Sequence, residues 1–325
     1  MSPRDQRAEG ERADRGAPAR LADVHDAEQV FTAERPRLVG IAYRILGSRT
    51  DAEDVVQEAW IRYQRTDPDT VDRPEAWLTT VVSRLALDQL KSAHHRRATY
   101  VGPWLPEPVL TPDDPAAAAD DPAEMAVMAD TLTFGFLQVL EVLAPVERVV
   151  FLLADVFKLP HEQIATVVDR APSATRQVAS RARRKVRDAQ PVTPSLDPEA
   201  SRVVEALVAA LLAGDVDTVV RLVAEDVVLV SDGGGEAHAA RRPVVGRDRV
   251  ARFALNLTRR LSEFEEVGVD LRVARINAEP GLVMRVGGEL FLAATFSVDD
   301  DEVRRIHVVR NPEKLAAIEL DGDLV

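Results

Sequence analysis

The sequence predicts a multi-domain chain in which two all-α helical units precede an α+β unit, and three observations carry that reading. Two proline-rich stretches, "VGPWLPEPVLTPDDPAAAADDPAE" at 101–124 and "DAQPVTPSLDPEA" at 188–200, have the Pro, Asp and Ala composition of linkers, since proline stiffens the chain and blocks helix continuation. Before and between them apolar residues recur at i, i+3 and i+4, the helical period. After them β-branched runs ("VVLVSD", "VGVDLRVARI", "GLVMRV", "ELFLAATFSV", "VRRIHVV") alternate with turn-forming "DGGG", "EPG" and "GG". A chain of 325 residues is long enough for two or three such units, each with its own core. The expected division is a disordered tail at 1–25, a helical unit at 26–100, a linker at 101–130, a second helical unit at 131–188, a linker at 189–199, the α+β unit at 200–318 and a tail at 319–325.

Composition narrows the function classes. The formal net charge is -13, which argues against a protein that coats nucleic acid indiscriminately and makes any local basic cluster informative. There is no cysteine, so disulfides, thiolate catalysis and Cys-containing zinc sites are excluded, and neither metal nor cofactor is expected. "MSPRDQRAEGERADRGAPAR" lacks the apolar core of a signal peptide, and no apolar run approaches a membrane span, which reads as a cytoplasmic protein with no membrane partner.

In the first unit, Thr50 with Glu53 reads as a capping box that starts a helix at Asp51. That helix, "DAEDVVQEAWIRY", puts Val55, Val56, Ala59, Trp60 and Tyr63 on one face and Asp51, Asp54 and Glu58 on the other. The acidic face reads either as solvated, with charge favoured at a helix N-terminus, or as a docking surface for a basic partner. A second helix opens at Pro74, with Leu78, Val81, Val82 and Leu85 as its apolar stripe. Trp77, Thr80, Arg84 and Lys91 fall on a neighbouring face, and "HHRR" (94–97) extends the positive charge through Arg96 and Arg97. An aromatic among cations suits single-stranded nucleic acid, where the ring stacks on an unpaired base and the cations hold phosphates; the alternative is a core tryptophan.

In the second unit, "HEQIATVV", the turn "DRAP" and the basic helix "SATRQVASRARRKVR" follow the plan of a helix-turn-helix. The last stretch holds six arginines and lysines and no acid. Ile164, Ala165, Val168, Val178 and Ala182 have the spacing of its buried seam, and Asp169 occupies the turn where a left-handed residue is needed. Ser173, Thr175, Arg176 and Gln177, at the start of the second helix, are placed to read base edges, with Ser180 one turn further on. Arg181, Arg183, Arg184, Lys185 and Arg187 are placed for phosphates.

These two units resemble the extracytoplasmic-function sigma factors of the sigma-70 family. "RLVGIAYRILGSRTDAEDVVQEAWIRY" with "RPEAWLTTVVSRLALDQL" matches region 2, and "LAPVERVVFLLADVFKLPHEQIATVV" with "SATRQVASRARRKV" matches region 4. "WLPEP" (104–108), "DGGG" (232–235) and "NPEKL" (311–315) look like the subgroup with a SnoaL-like C-terminal extension, so the resemblance runs from about residue 27 to 318. It implies a partner in core RNA polymerase, with Asp51, Asp54, Gln57 and Glu58 facing the β′ clamp helices and region 4 meeting the β flap. It also implies a second partner in promoter DNA, with the Trp77 helix at the melted minus-10 element and the helix from Ser173 at the minus-35 duplex. Where many of these factors carry asparagine, this chain has Arg84.

The third unit, with helices "SRVVEALVAALLAGD", "VDTVVRLVAEDV" and "GRDRVARFALNLTRRL", then suggests the cone-shaped sheet of NTF2 and SnoaL-like folds. Asp226, Asp232, His238 and His307 are its polar candidates for chemistry, but nothing in their spacing unites them, and a protein that is not an enzyme is expected. Asp232, Gly233, Gly234 and Gly235 read as a loose hairpin turn or a docking loop. Asn311 caps a short helix through Pro312, Lys314 and Leu315. The resemblance implies control of the sigma module within the chain, without a separate anti-sigma factor; on physical grounds this loop and helix are expected to contact "WLPEP" (Trp104 as the anchor, with Leu105) and the first unit, biasing the separation of the two DNA-reading units. The competing readings are a ligand-sensing helix-turn-helix regulator and a SnoaL-type enzyme fused to a DNA-binding module.

Overall fold

The computed structural model describes residues 21–97, 99–111, 132–189, 198–260, 264, 267–316 and 318. Residues 1–20, most of both linkers, and the tail at 319–325 lie outside that set. Three helices, α1 (Leu21–Leu46), α2 (Arg49–Gln64) and α3 (Pro74–Arg97), form the first unit. The cap of α2 differs from the expected one. Ser48, not Thr50, is the N-cap, its Oγ accepting from the Asp51 amide at 3.1 Å, because Gly47 at φ 72 turns the chain so that the helix starts two residues earlier. Val55, Val56 and Ala59 are buried as the periodicity predicts, Ala52 is buried beside them, and Trp60 and Tyr63 are half-buried.

The second unit comprises α4 (Phe134–Val139), α5 (Pro145–Phe151) with a π-type turn Leu152–Val156, α6 (His161–Val168) and α7 (Pro172–Asp188). Asp169 closes α6 in the left-handed conformation, φ 51, and α7 starts at Pro172 in the first-turn position. Ile164, Ala165, Val168, Val178 and Ala182 are all buried, so the helix-turn-helix seam forms as predicted. The two helical units are not separated in space. A single apolar core runs from Leu38, Ile41 and Ile45 through Leu78, Val82 and Leu90 to Val149, Leu152, Ile164 and Val178, and α3 packs on α5 and α6.

The third unit holds α8 (Pro198–Ala213), α9 (Val216–Leu222) and α10 (Arg247–Arg259) against a sheet of β1 (Val223–Asp232), β2 (Val244–Val245), β3 (Val269–Ile276), β4 (Glu279–Val286), β5 (Glu289–Asp299) and β6 (Glu302–Val309). The order is β2-β1-β6-β5-β4-β3, antiparallel except for the β1–β6 pair. The strand starts at Val223, inside the segment read as helical through Val227. Val223, Ala224 and Val227 are buried, and Val223 pairs with Val303 of β6, which overrides their local helical period. Alternation then gives the sheet two different faces. Leu229, Met284, Ala294, Phe296, Ile306 and Val308 face α8–α10, and Val230, Val283, Ala293 and Val309 face Leu105, Phe134, Leu315 and Ile318. The second face is where the helical module docks.

Candidate nucleic-acid interface and interdomain hub

The helix predicted to read duplex DNA presents a basic exposed face. Ser173, Arg176, Gln177, Ser180, Arg181, Arg183 and Arg184 are exposed, as are Lys185 and Arg187. Thr175 is corrected: it is wholly buried, its hydroxyl donating to Ala171 O at 3.2 Å, because the i+3 step from Thr175 to Val178 keeps it on the seam side. Three of the cations are tied to neighbours, Arg176 to Glu162 at 2.9 Å, Arg183 to Asp155 at 2.6 Å and Lys185 to Glu147 at 2.7 Å. Such partly exposed pairs are weak and exchange readily for phosphates. The Lys185 partner is held as carboxylate: hydrogen bonds from Lys185 and the Ala144 amide outweigh the desolvation of Glu147 and lower its pKa.

The second predicted reader is engaged by the first. Arg84 on α3 donates to Thr166 O of α6 through Nη2 at 2.6 Å and Nε at 3.2 Å, and Gln163 Nε2 reaches back to Ala76 O at 3.3 Å. Trp77 is half-buried, 5.5 Å from the Tyr63 ring in a series that continues through Trp60 to Phe31. Thr80 is half-buried and donates to Ala76 O, while Lys91 is exposed and paired with Asp88 at 3.0 Å. Lys91 shares a cleft with Arg170 and Arg181, so cations assigned to both promoter elements lie side by side. Arg96 and Arg97 close α3, and their side chains fall outside the described residues. On α2, Asp54 and Gln57 are exposed, Asp51 and Glu58 half-exposed, and Glu58 pairs with Arg62 at 2.8 Å. Asp51 and Asp54 have no ion pair among the described residues.

The motifs predicted to meet across the domains do meet. Asp232, 0 % exposed at the end of β1, accepts from Tyr100 Oη at 2.6 Å, the Leu105 amide at 2.8 Å, the Gly234 amide at 3.0 Å and Lys314 Nζ at 2.6 Å. Lys314 also donates to Leu105 O and lies 4.3 Å from the Trp104 ring centroid. Asn311 caps the short helix α11 (Pro312–Leu315) through the Glu313 amide at 3.0 Å and donates to Tyr100 Oη at 2.9 Å. Burial, then the hydrogen bond and charge of Asp232, raise the Tyr100 pKa, so the phenol stays a donor. Gly234, at φ 64, lies so close to the Asn311 amide that a Cβ there would stand 2.6 Å from Nδ2. Gly233 closes the turn by accepting from the Glu236 and Ala237 amides, Gly235 packs on Val101, Pro312 opens α11 and Leu315 is buried against the sheet. The loop is therefore both a tight turn and a docking loop. The anchor is corrected from Trp104 to Leu105: Trp104 is half-buried over Gly47, whereas Leu105 is fully buried with its main chain held by Asp232 and Lys314.

Several contacts of this joint were invisible to pattern reading. Glu107 of "WLPEP" caps α2, its carboxylate accepting from Ser48 Oγ at 2.8 Å and the Arg49 and Thr50 amides at 2.7 and 3.1 Å. Asn277, in a hairpin turn with Ala278 (φ 53 and 63), holds the Val109 amide at 2.9 Å, Tyr43 Oη at 2.7 Å and Leu132 O at 3.0 Å. Glu279 accepts from the Phe134 amide at 2.8 Å and from Ser297 Oγ at 2.6 Å; burial pushes its carboxyl up to about 7. Beside it His307 stacks 5.7 Å from the Phe134 ring, and burial, then the charge of Arg305, pulls its imidazole down to about 3. The turn expected at "EPG" is corrected: Glu279, Pro280 and Gly281 open β4, and the turn lies at Asn277-Ala278, for which the left-handed tendency of asparagine was the available signal; nothing in the sequence marked Glu279 as a buried acceptor. Asp226, Asp232, His238 and His307 are scattered over two faces of the sheet, as their spacing implied.

Residues 30–96 match the family model for Sigma-70 region 2 and residues 134–186 that for Sigma-70, region 4. The chain is 33% identical over 296 residues to the probable ECF RNA polymerase sigma factor SigI of Mycobacterium tuberculosis, covering 90% of this chain and 96% of that one. It belongs to the ECF RNA polymerase sigma factors. Its identity to the ECF sigma factor SigJ of M. tuberculosis is 49% over 232 residues, 71% of this chain and 72% of the relative. The crystal structure of M. tuberculosis SigJ superposes with TM-score 0.70 at 38% identity over 90% of this chain and all of the other. Sigma factors bind core RNA polymerase and promoter DNA, and family membership assigns promoter-specific transcription initiation to this chain. No described helix is long and apolar enough to cross a membrane.

Proposed function

We propose that the free protein is a closed sigma factor, held shut by its own C-terminal domain and opened when RNA polymerase and promoter separate its two DNA-reading helices. The observation that carries this is the Asp232 hub, in which one buried carboxylate ties Tyr100 and Leu105 of the linker to Lys314 of the C-terminal helix. The minus-35 and minus-10 elements stand about two and a half duplex turns apart, about 80 Å. Helices that share one core cannot span that distance, and Arg84 cannot meet a minus-10 strand while bound to Thr166. In the open form the exposed cations of α7 take the minus-35 duplex, the face of Trp77, Thr80, Arg84 and Lys91 takes the melted strand, and Asp51, Asp54, Gln57 and Glu58 dock on the β′ clamp helices while region 4 meets the β flap. The C-terminal domain then does in cis what a separate anti-sigma protein does in trans. We read it as non-enzymatic, in keeping with the sigma-factor family to which the chain belongs.

Run-off transcription with core enzyme tests this, comparing the full chain with a version ending before Asp197. Promoter-dependent initiation by the full chain and raised output from the shorter one at limiting concentration are expected. Equal output at every concentration excludes control in cis and leaves the family assignment intact.

A further inference from the structure

The concave face of the C-terminal sheet, opposite the docking face, encloses a cavity of about 130 Å³ between α8, α10 and the strands. Its walls are Leu211, Phe253, Leu282, Met284, Leu292 and Phe296, with Ala254 and Ala294 leaving the space open. A space of this size with mainly apolar walls matches one aromatic ring or a short alkyl chain. It opens past His238 into a wider mouth bordered by Arg259, Arg260, Phe291 and Arg310. Arg310 follows β6 directly and lines both the cavity and the mouth. Its guanidinium carbon lies 3.6 Å from the centroid of the Phe291 ring, which fixes the plane and leaves the edge free to donate. Nε of Arg310 is buried with no hydrogen-bond partner among the described residues, and burial lowers the pKa of the group. The guanidinium carries further N–H donors besides Nε, and an anion arriving from the mouth gains charge-assisted hydrogen bonds from them. None of the described lining residues of cavity or mouth is acidic.

We infer that this cavity binds a small amphipathic anion, with an aryl or short alkyl body among Phe253, Met284 and Phe296 and a carboxylate, or an equivalent planar anion, on the edge of Arg310. The inference does not depend on the closed-sigma reading. The site nevertheless lies one residue from the hub on two strands: Ser231 and Arg310 line the cavity, while Asp232 and Asn311 hold Leu105 and Tyr100.

Calorimetric titration of the full chain with 4-phenylbutyrate and with 4-phenyl-1-butanol tests the inference, since the two share a body and differ in charge. Saturable binding of the acid, at least about tenfold tighter than the alcohol, is expected. Arg310→Gln removes the preference for the acid while leaving the alcohol unchanged, and Ala254→Phe, which fills the cavity, abolishes binding of both. Equal affinity for acid and alcohol in the wild-type chain overturns the inference, as does the absence of saturation by either below about 10 mM. The wild-type comparison stands even if a variant fails to fold.

Discussion

The two joints of the molecule are built from opposite materials. Between the helical units the contact is apolar, with Leu78, Val82, Val149 and Ile164 in one core and a few hydrogen bonds to main-chain carbonyls at its rim. Between the linker and the C-terminal domain a smaller apolar cluster around Leu105 and Phe134 is ringed by buried polar groups: Asp232, Asn277, Glu279 and Lys314 each face two or more partners. Apolar packing is non-directional and supplies cohesion, whereas a buried polar contact is favourable in one register and unfavourable in the rest. The difference teaches that the first joint supplies adhesion and the second sets where the linker lies and when it is released.

The largest effect is expected at the hub. Asp232→Asn leaves the Lys314 ammonium buried without its counter-charge and loosens the linker by about 3–5 kcal/mol. Amide hydrogen exchange over residues 99–111 measures the loss, and protection equal to wild type contradicts the hub's role. Next is Glu279, whose carboxyl rises from 4.5 to about 7 on burial. Below the lower value it is protonated whether the joint is made or open. As pH rises through the higher one it must ionise in place, so its contribution is lost on going up. His307, displaced from 6.5 to about 3, works in the opposite direction and loses its contribution as pH falls through that interval. Comparison of Glu279→Gln with wild type isolates the first group. The variant should gain about 2 kcal/mol on wild type in thermal melts between pH 5 and pH 8, and a constant difference contradicts the assignment.

Asn277→Ala should weaken the joint by about 2 kcal/mol, because the Val109 amide and Leu132 carbonyl lose their partner together; denaturant melts of the full chain read it. Smallest is Arg84→Ala at the apolar joint. It removes hydrogen bonds on an exposed side chain and should shift the same melts by less than about 1 kcal/mol. If that variant proves more damaging than Asp232→Asn, the contrast between the joints is wrong.

The legibility of the sequence divides along the same line. Apolar periodicity reaches the helix-turn-helix, since Ile164, Val168, Val178 and Ala182 recur at the helical repeat and their burial is local. It also reaches Asn311, whose capping role needs only the following Pro-Glu. It does not reach Thr175, where a polar residue on the buried side breaks the pattern, or Val223, where strand pairing overrides helical spacing. Glu107 and Glu279 look like any surface glutamate, because what makes each a cap is an amide 58 or 145 positions away in sequence. "WLPEP", "DGGG" and "NPEKL" were found as separate motifs, and the single carboxylate that joins them emerges only in three dimensions.

The most direct measurement is the separation of α3 and the helix-turn-helix. With no native cysteine, Ser92→Cys and Arg170→Cys take spin labels at two chosen points. Pulsed dipolar spectroscopy should find one short distance in the free protein, and about 60 Å or more once core polymerase and a promoter fragment are added. A long distance in the free protein, or a short one retained on the promoter, contradicts the closed-and-opened account.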